Sequence, residues 1–476
     1  MLFNSFQFIL FLPCVIILYY MLPHKTRWVL LLCASYYFYM VWKPEYIILI
    51  IISTLVDYTA GILMEKQQDR KKRKALLFMS LFANLGLLFV FKYFNFFYGQ
   101  LGEIYSLISN KEFQSAGLKL ILPMGISFYT FQTLSYSIDV YRGNRGAEKH
   151  LGYFALYVTF FPQLVAGPIE RSDRLLPQLR EKHKFNYENF MSALLRICWG
   201  FFKKIVIADR VAQLVNMVYG NLSEFRGLPL IIATLGFALQ IYCDFSAYSD
   251  IAIGSAKMMG VDLMENFKMP YFSKSISEFW SRWHISLSTW FKDYLYIPLG
   301  GNRVDKRWKY YRNILIVFLV SGFWHGAEWT FLIWGALHGI YSVVERITDK
   351  KLEKINGFMR TVITFVLVLF AWIFFRADNV QDAFFLIKNL GFGNIGPFMT
   401  SNIRAESGLD KYYVVILVFS SILLLVTDYI KYKKNKQILI SNDFLQGLAC
   451  IALIMYIILF GYYGSYKPNE FIYFQF

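Results

Sequence analysis

Apolar positions in this chain gather into long runs rather than short amphipathic blocks. Runs able to cross a bilayer, roughly 20 residues each, lie near 6–23, 45–64, 75–95, 120–138, 151–169, 192–208, 227–256, 311–347, 359–375, 411–430 and 445–464. Each reads as a helix, because backbone in lipid must satisfy its own hydrogen bonds. Counting broken or paired segments, the pattern predicts an all-α, polytopic membrane bundle of about 11–13 membrane helices with interfacial or re-entrant helices added. One multispan domain over 1–476 is expected, joined by connections at 96–119, 170–191, 376–410 and 431–442. The first run, "FQFILFLPCVIILYYMLP", has no basic region before it and no small-residue cleavage site, so it reads as a retained span.

Two regions break the pattern. Residues 262–303 are too polar to span and too aromatic for a solvated loop. Read as one helix from Ser275 or Ser277 to just before Pro298, this region aligns Trp280, Trp283, Leu287, Trp290 and Tyr294 in an apolar stripe. Ser277, Ser281, His284, Ser288 and Lys292 form a polar one. Two placements fit. The helix can lie in the membrane interface with His284 merely wet, or it can turn His284 inward to line a water-filled chamber.

The second irregularity is "SGFWHGAEWTFLIWGALHG", 321–339, inside an apolar stretch from Ile314 to Val344 that is 31 residues long. That length requires a tilt, a break or a doubling back. Gly322 and Gly326 flank "FWH" and predict a break at His325; freed backbone at membrane depth is tolerated only when buried in protein or lining a cavity. An ionisable residue in a span costs about 2.5–3.5 kcal/mol at the bilayer centre and usually marks a functional path. Glu328 and His338 share the region. On a continuous helix His338 would face away from His325, so it reads as structural.

Composition agrees with the pattern: 57% hydrophobic and 17% charged residues exclude an ordinary soluble domain. The net charge of +17 would suggest nucleic acid, but the basic residues concentrate in "EKQQDRKKRK" (65–74) and "KYKKNK" (431–436). The positive-inside rule places both loops in the cytoplasm, so no nucleic-acid partner is expected. The same loops could help hold an anionic cytosolic donor such as a coenzyme A phosphate. Cys14, Cys33, Cys198, Cys243 and Cys450 are scattered without a CxxC pair, and predict neither a metal site nor a disulfide framework.

A buried neutral imidazole with no metal cluster, nucleophile elbow or Gly-Lys phosphate loop suits proton removal from a hydroxyl attacking an activated carbonyl. Acyl transfer from a thioester fits. A proton-coupled transporter or an export subunit would also carry histidines and carboxylates in spans.

Seven ordered segments carry a resemblance. "LPMGISFYTFQTLSYSIDVYRG" (122–143), "FFPQLVAGPIER" (160–171), "YCDFSAYSDIAIG" (242–254), "MENFKMPY" (264–271), "SISEFWSRWHISLSTWFKDYLYIPLGGNR" (275–303), "GFWHGAEWTFLIWGALHG" (322–339) and the closing "FIYFQF" (471–476) resemble the membrane-bound O-acyltransferase family, in its bacterial alginate O-acetyltransferase-like branch. The signature core covers about 120–376. The resemblance implies a tunnel or funnel through the bundle, a catalytic histidine at His325 and a second family position at His284. It implies acetyl-CoA as the acyl donor with no tightly bound cofactor, an extracytoplasmic polysaccharide acceptor, an extracytoplasmic acetyltransferase partner protein and the bacterial inner membrane. D-alanyl transfer to a cell-wall polymer is the related alternative.

Asp244, Ser246, Tyr248 and Asp250 within "DFSAYSD" read equally as a helix cap with its turn or as tunnel lining, a role also open to Glu328. Ala247 stands where the family pattern has glycine. Asn302 and Arg303 could meet a donor phosphate or simply form a solvated cap.

Overall fold

A computed structural model describes residues 1–111, 113, 117–118, 120–392, 410–434, 442–463 and 470–472. The ends of two quoted stretches, Asn435–Lys436 and 473–476, lie outside the described residues. The architecture is all-α, and no strand occurs among the described residues. Among the described residues, five helical stretches are long and apolar enough to cross a membrane: Pro44–Lys66, Arg70–Ser109, Leu228–Met258, Gly357–Arg376 and Lys411–Lys434. Phe6–Met21 and Phe444–Phe460 are apolar but shorter. The remaining apolar runs are divided by breaks and turns or carry charged ends, which is why the run count exceeds this number. The chain forms two compact units, one of residues 1–186 with 255–264 and one of residues 187–254 with 265–476.

The first unit contains α1 (Phe6–Met21), α2 (His24–Met40), α3 (Ile47–Lys66), α4 (Arg70–Leu88), α5 (Phe94–Ser109), α6 (Ile126–Arg142), α7 (Leu151–Thr159) and α8 (Ser172–Arg180). Asp69 caps α4 by accepting the Lys71 N–H at 2.8 Å. One charged residue is buried inside the α3 span. Asp57 accepts both Asn84 Nδ2 bonds, at 3.0 and 2.9 Å, and the Ser137 hydroxyl at 3.1 Å, with Ser80 bonded beside it. A buried carboxylate is costly unless its lone pairs are filled, and donors from α4 and α6 fill them here.

The second unit contains α9 (Tyr187–Phe201), α10 (Asp209–Gly220), α11 (Leu228–Met258), α12 (Ile276–Arg282), α13 (Ile285–Phe291), α14 (Arg307–His325), α15 (Trp329–Leu352), α16 (Gly357–Arg376), α17 (Val380–Asn389) and the two closing helices, Lys411–Lys434 and Asp443–Phe460. Between α9 and α10 the helix widens to a π turn over Phe202–Ala208. This turn carries Lys203 and Lys204, both buried.

The long apolar stretch doubles back. α14 ends at His325, Gly326 is extended, and α15 starts at Trp329. The two helices cross at glycines: a Cβ on Gly322 would stand 2.3 Å from the Phe331 carbonyl oxygen, and one on Gly335 would stand 2.4 Å from that of Phe318. Backbones approach this closely in membranes where small residues face each other.

The continuous helix expected from Ser275 to Pro298 is corrected by the structure. Its start is as read, with the Ser275 hydroxyl accepting the Glu278 N–H at 3.0 Å. It then breaks at Trp283, which is extended, and at His284, which is left-handed at φ 45°. The cause lies outside the helix. The backbone of 266–268 runs alongside and takes over hydrogen bonds that a helix would make for itself: Lys268 N–H donates to Arg282 C=O at 2.9 Å, and Ile285 N–H to Asn266 C=O at 3.0 Å. Both stripes therefore end at the break. Trp283, Leu287 and Trp290 are buried, so they pack within protein rather than in a headgroup layer, while Ser281 and Lys292 are exposed.

Candidate active site

Two chain breaks bring two imidazoles together. His284 between α12 and α13 and His325 at the end of α14 have ring centroids 6.4 Å apart. Both are buried. Phe245 of α11 stands edge-on to His284 at 4.7 Å, and His325 is walled by Trp334 at 5.2 Å and Phe375 at 5.5 Å.

Asn266 organises the His284 side of the pair. Its Oδ1 accepts the Ser286 N–H at 3.2 Å and the Ser286 hydroxyl at 2.9 Å, and it lies 3.2 Å from His284 Nδ1. Since that oxygen accepts from its other partners, Nδ1 is the protonated nitrogen and Nε2 keeps its lone pair. Burial first, and then the His325 ring, hold His284 well below the usual histidine range, so its neutral form prevails. A non-glycine residue in left-handed backbone costs about 1–3 kcal/mol and clusters at functional sites; the Asn266 bonds offset that strain.

His338 is the third imidazole of the neighbourhood. It accepts the Trp280 indole N–H at Nδ1, 3.2 Å away, and lies 5.0 Å from Trp334, a ring that also packs against His325 at 5.2 Å. The continuous helix expected to turn it away from His325 is broken between α14 and α15; His338 is buried against the rings of Phe279, Trp280 and Trp334. Glu328 is exposed at the start of α15. Asn302 and Arg303 are exposed in the turn before α14.

"DFSAYSD" lies within the continuous helix Leu228–Met258, which overturns the cap-and-turn reading. Its four polar residues serve different ends. Asp244 pairs with Lys204 at 2.5 Å and accepts the Ile472 N–H at 2.6 Å. Lys204 also reaches Asp209 at 2.8 Å, donates to the Glu470 carbonyl at 3.1 Å and lies 4.2 Å from the Phe471 ring centroid. Tyr248 packs edge-on against Phe471. This group therefore clasps residues 470–472. Ser246 and Asp250 instead meet Lys203, each at 2.7 Å, and Asp250 also meets Arg196 at 2.8 Å, on the wall of a cavity of about 300 Å³.

Sequence reasoning passed over Asn266, Lys203, Lys204 and Arg196. The two lysines had a usable signal, since adjacent cations inside the apolar run 192–208 need partners. Asn266 had only its place in "MENFKMPY".

Long apolar helices around a buried histidine pair define the class, an integral membrane protein with ionisable groups inside the protein. Residues 46–380 match the sequence model of the MBOAT, or membrane-bound O-acyltransferase, family. The chain belongs to this family and is an O-acyltransferase. It is 41% identical over 382 residues to "Probable alginate O-acetylase AlgI" of Pseudomonas aeruginosa, covering 80% of this chain and 72% of the relative. It is 36% identical over 428 residues to "Peptidoglycan O-acetyltransferase" of Helicobacter pylori, covering 82% and 80%. Its likeness to "Teichoic acid D-alanyltransferase" of Bacillus subtilis is lower, 27% over 289 residues, with 58% and 72% covered.

Asn266→Ala is expected to lower kcat for acyl transfer at least roughly tenfold, because it removes the acceptor that sets the His284 tautomer and leaves the Ser286 N–H buried without its partner, a loss of about 1–3 kcal/mol. Asn266→Asp, which keeps the acceptor, should retain more activity. Equal kcat in the alanine and wild-type enzymes, measured on material of matched monodispersity, would remove this role.

Proposed function

We propose that this enzyme transfers acetyl groups from a cytosolic thioester to hydroxyls of an extracytoplasmic polysaccharide of a bacterial cell envelope. The observation that carries the reading is the convergence of His284 and His325 from two separate chain breaks, 6.4 Å apart between ring centroids. Relatives named for alginate and peptidoglycan O-acetylation, aligned over about four fifths of the chain, support acetyl as the group moved.

In this reading neutral His325 is the general base. It takes the hydroxyl proton as that oxygen attacks the thioester carbonyl; the C–O bond forms, the C–S bond breaks, and the proton passes to the departing thiolate. His284, with Nε2 able to accept, positions or polarises the hydroxyl. Acetyl-CoA is the donor, bound only transiently, and an extracytoplasmic acetyltransferase partner completes delivery to the glycan. The enzyme then sits in the inner membrane.

The test is alkali-released acetate from each purified envelope glycan, in cells lacking the gene and in cells complemented with wild type or His325→Ala. One glycan should lose acetate and regain it with wild type alone. Acetate unchanged in every fraction defeats the reading for those acceptors. Loss of ester-linked D-alanine in its place would favour the chemistry named for the Bacillus subtilis relative.

A further inference from the structure

The cavity bordered by Ser246 and Asp250 has no part in the proton transfer just described. We propose that it is the pocket that recognises the phosphate-bearing end of the acyl donor, with Lys268 and Lys431 as the residues that meet the phosphate. This inference rests on the acyl-transfer reading above and names the part of the donor that this pocket binds.

Charge carries it first. Five cationic side chains line the cavity, Arg196, Lys203, Lys268, Arg282 and Lys431, against three carboxylates. All three carboxylates are engaged. Glu265 takes a two-point ion pair from Arg196, with both contacts at 2.6 Å; Asp250 is held by Lys203 and Arg196; Asp428 accepts the Tyr242 hydroxyl at 2.5 Å. Arg282 pairs with Glu278 at 2.9 Å. Among the described residues, Lys268 and Lys431 take no carboxylate within salt-bridge distance. Lys431 lies 5.4 Å from the Trp199 ring centroid, and Lys268 is exposed at the rim. With Arg282 paired to Glu278, and Arg196 and Lys203 paired to Asp250 and Glu265, the half-buried Lys431 and the exposed Lys268 face Asp428 alone. The lining therefore keeps one positive charge in surplus, shared by two ammonium groups, an arrangement suited to an anion that must enter and leave.

Position carries it second. One wall is the segment 265–269, and its neighbours serve both places: Asn266 bonds at the histidine pair, while Glu265, Phe267 and Lys268 line the cavity. A donor anchored by its phosphate here and the His284 ring thus meet the same short segment of chain, 265–269. Lys431 also opens the basic stretch 431–436, which charge asymmetry assigns to the cytoplasm, the compartment of a soluble thioester. A volume of about 300 Å³ suits one end of such a donor rather than all of it.

The shared chemistry is a phosphate ester linked to an acyl thioester, supplied either by free acetyl-CoA or by an acetylated phosphopantetheine carrier protein. The full-length enzyme in lipid nanodiscs is assayed with each thioester, as wild type, as Lys268→Gln/Lys431→Gln and as Lys268→Arg/Lys431→Arg. For the thioester that wild type uses, KM should rise roughly tenfold or more in the glutamine double variant, an effect at least fivefold larger than that on kcat, and should return toward wild type in the arginine one. Inorganic pyrophosphate should compete with that donor in wild type and lose potency to a similar degree in the glutamine variant. Preference for either thioester supports the pocket and identifies the source of its phosphate. Wild-type turnover with unchanged KM in the glutamine variant, or pyrophosphate inhibition that does not compete with donor, overturns the pocket alone. A wild type that turns over neither thioester overturns the acyl-transfer reading and this inference with it.

Discussion

His325→Ala enzyme is expected to transfer no acyl group above background, and to be recovered from membranes in the same yield as wild type. The expected loss is at least ~10²–10⁴-fold, the usual contribution of a positioned acid-base group, because no other imidazole can take over. His338 is occupied at Nδ1 by the Trp280 indole N–H, and His284 is tied through Nδ1 to Asn266. The structural effect is small by comparison. His325 contributes ring contacts to Trp334 and Phe375, each of order 0.5–1.5 kcal/mol, in a bundle held by many larger contacts. Transfer from radiolabelled donor in purified membranes, at equal protein, is the measurement; turnover equal to wild type would refute general-base catalysis by this residue.

Lys204→Met has the opposite signature and harms the fold first. The lysine is 1% exposed and stands between Asp244 and Asp209. Its removal leaves two buried carboxylates facing each other with no cation between, a change that costs about 3–5 kcal/mol where one partner of a buried ion pair is lost. The variant should melt at a clearly lower temperature in detergent, and residues 470–472, which lose the Glu470 carbonyl bond, should become accessible to protease. Lys204→Met/Asp244→Asn removes one stranded charge and should regain part of the loss. A Lys204→Met protein that melts with wild type would show that the ion group does not hold this region.

What was legible in the sequence followed the range of its causes. The break at His325 could be read because its signal, an overlong apolar run with a glycine directly after the histidine, is local. The break at His284 could not: residues 276–294 have good helical periodicity, and what interrupts them is the backbone of Asn266 and Lys268, joined by hydrogen bonds that no periodicity encodes. The same limit concealed the cavity. Its cations come from α9, the turn after it, segment 265–269, α12 and helix Lys411–Lys434, and only packing gathers them. Asp244 and Asp250 stood out early, but their separation into two unrelated ion groups depends on Lys203 and Lys204, neighbours in sequence whose side chains reach different carboxylates.

The glycine crossing of α14 with α15 also bears on the sidedness of the protein. A hydropathy plot registers Ile314 to Val344 as one passage and delivers the chain to the opposite face. A hairpin returns it to the face it left, so the parity of crossings changes at that point and every later loop is reassigned. Any map of which termini, tags or glycosylation reporters face the cytoplasm must therefore treat this stretch as a hairpin, with His325 at its turn rather than midway along a single crossing.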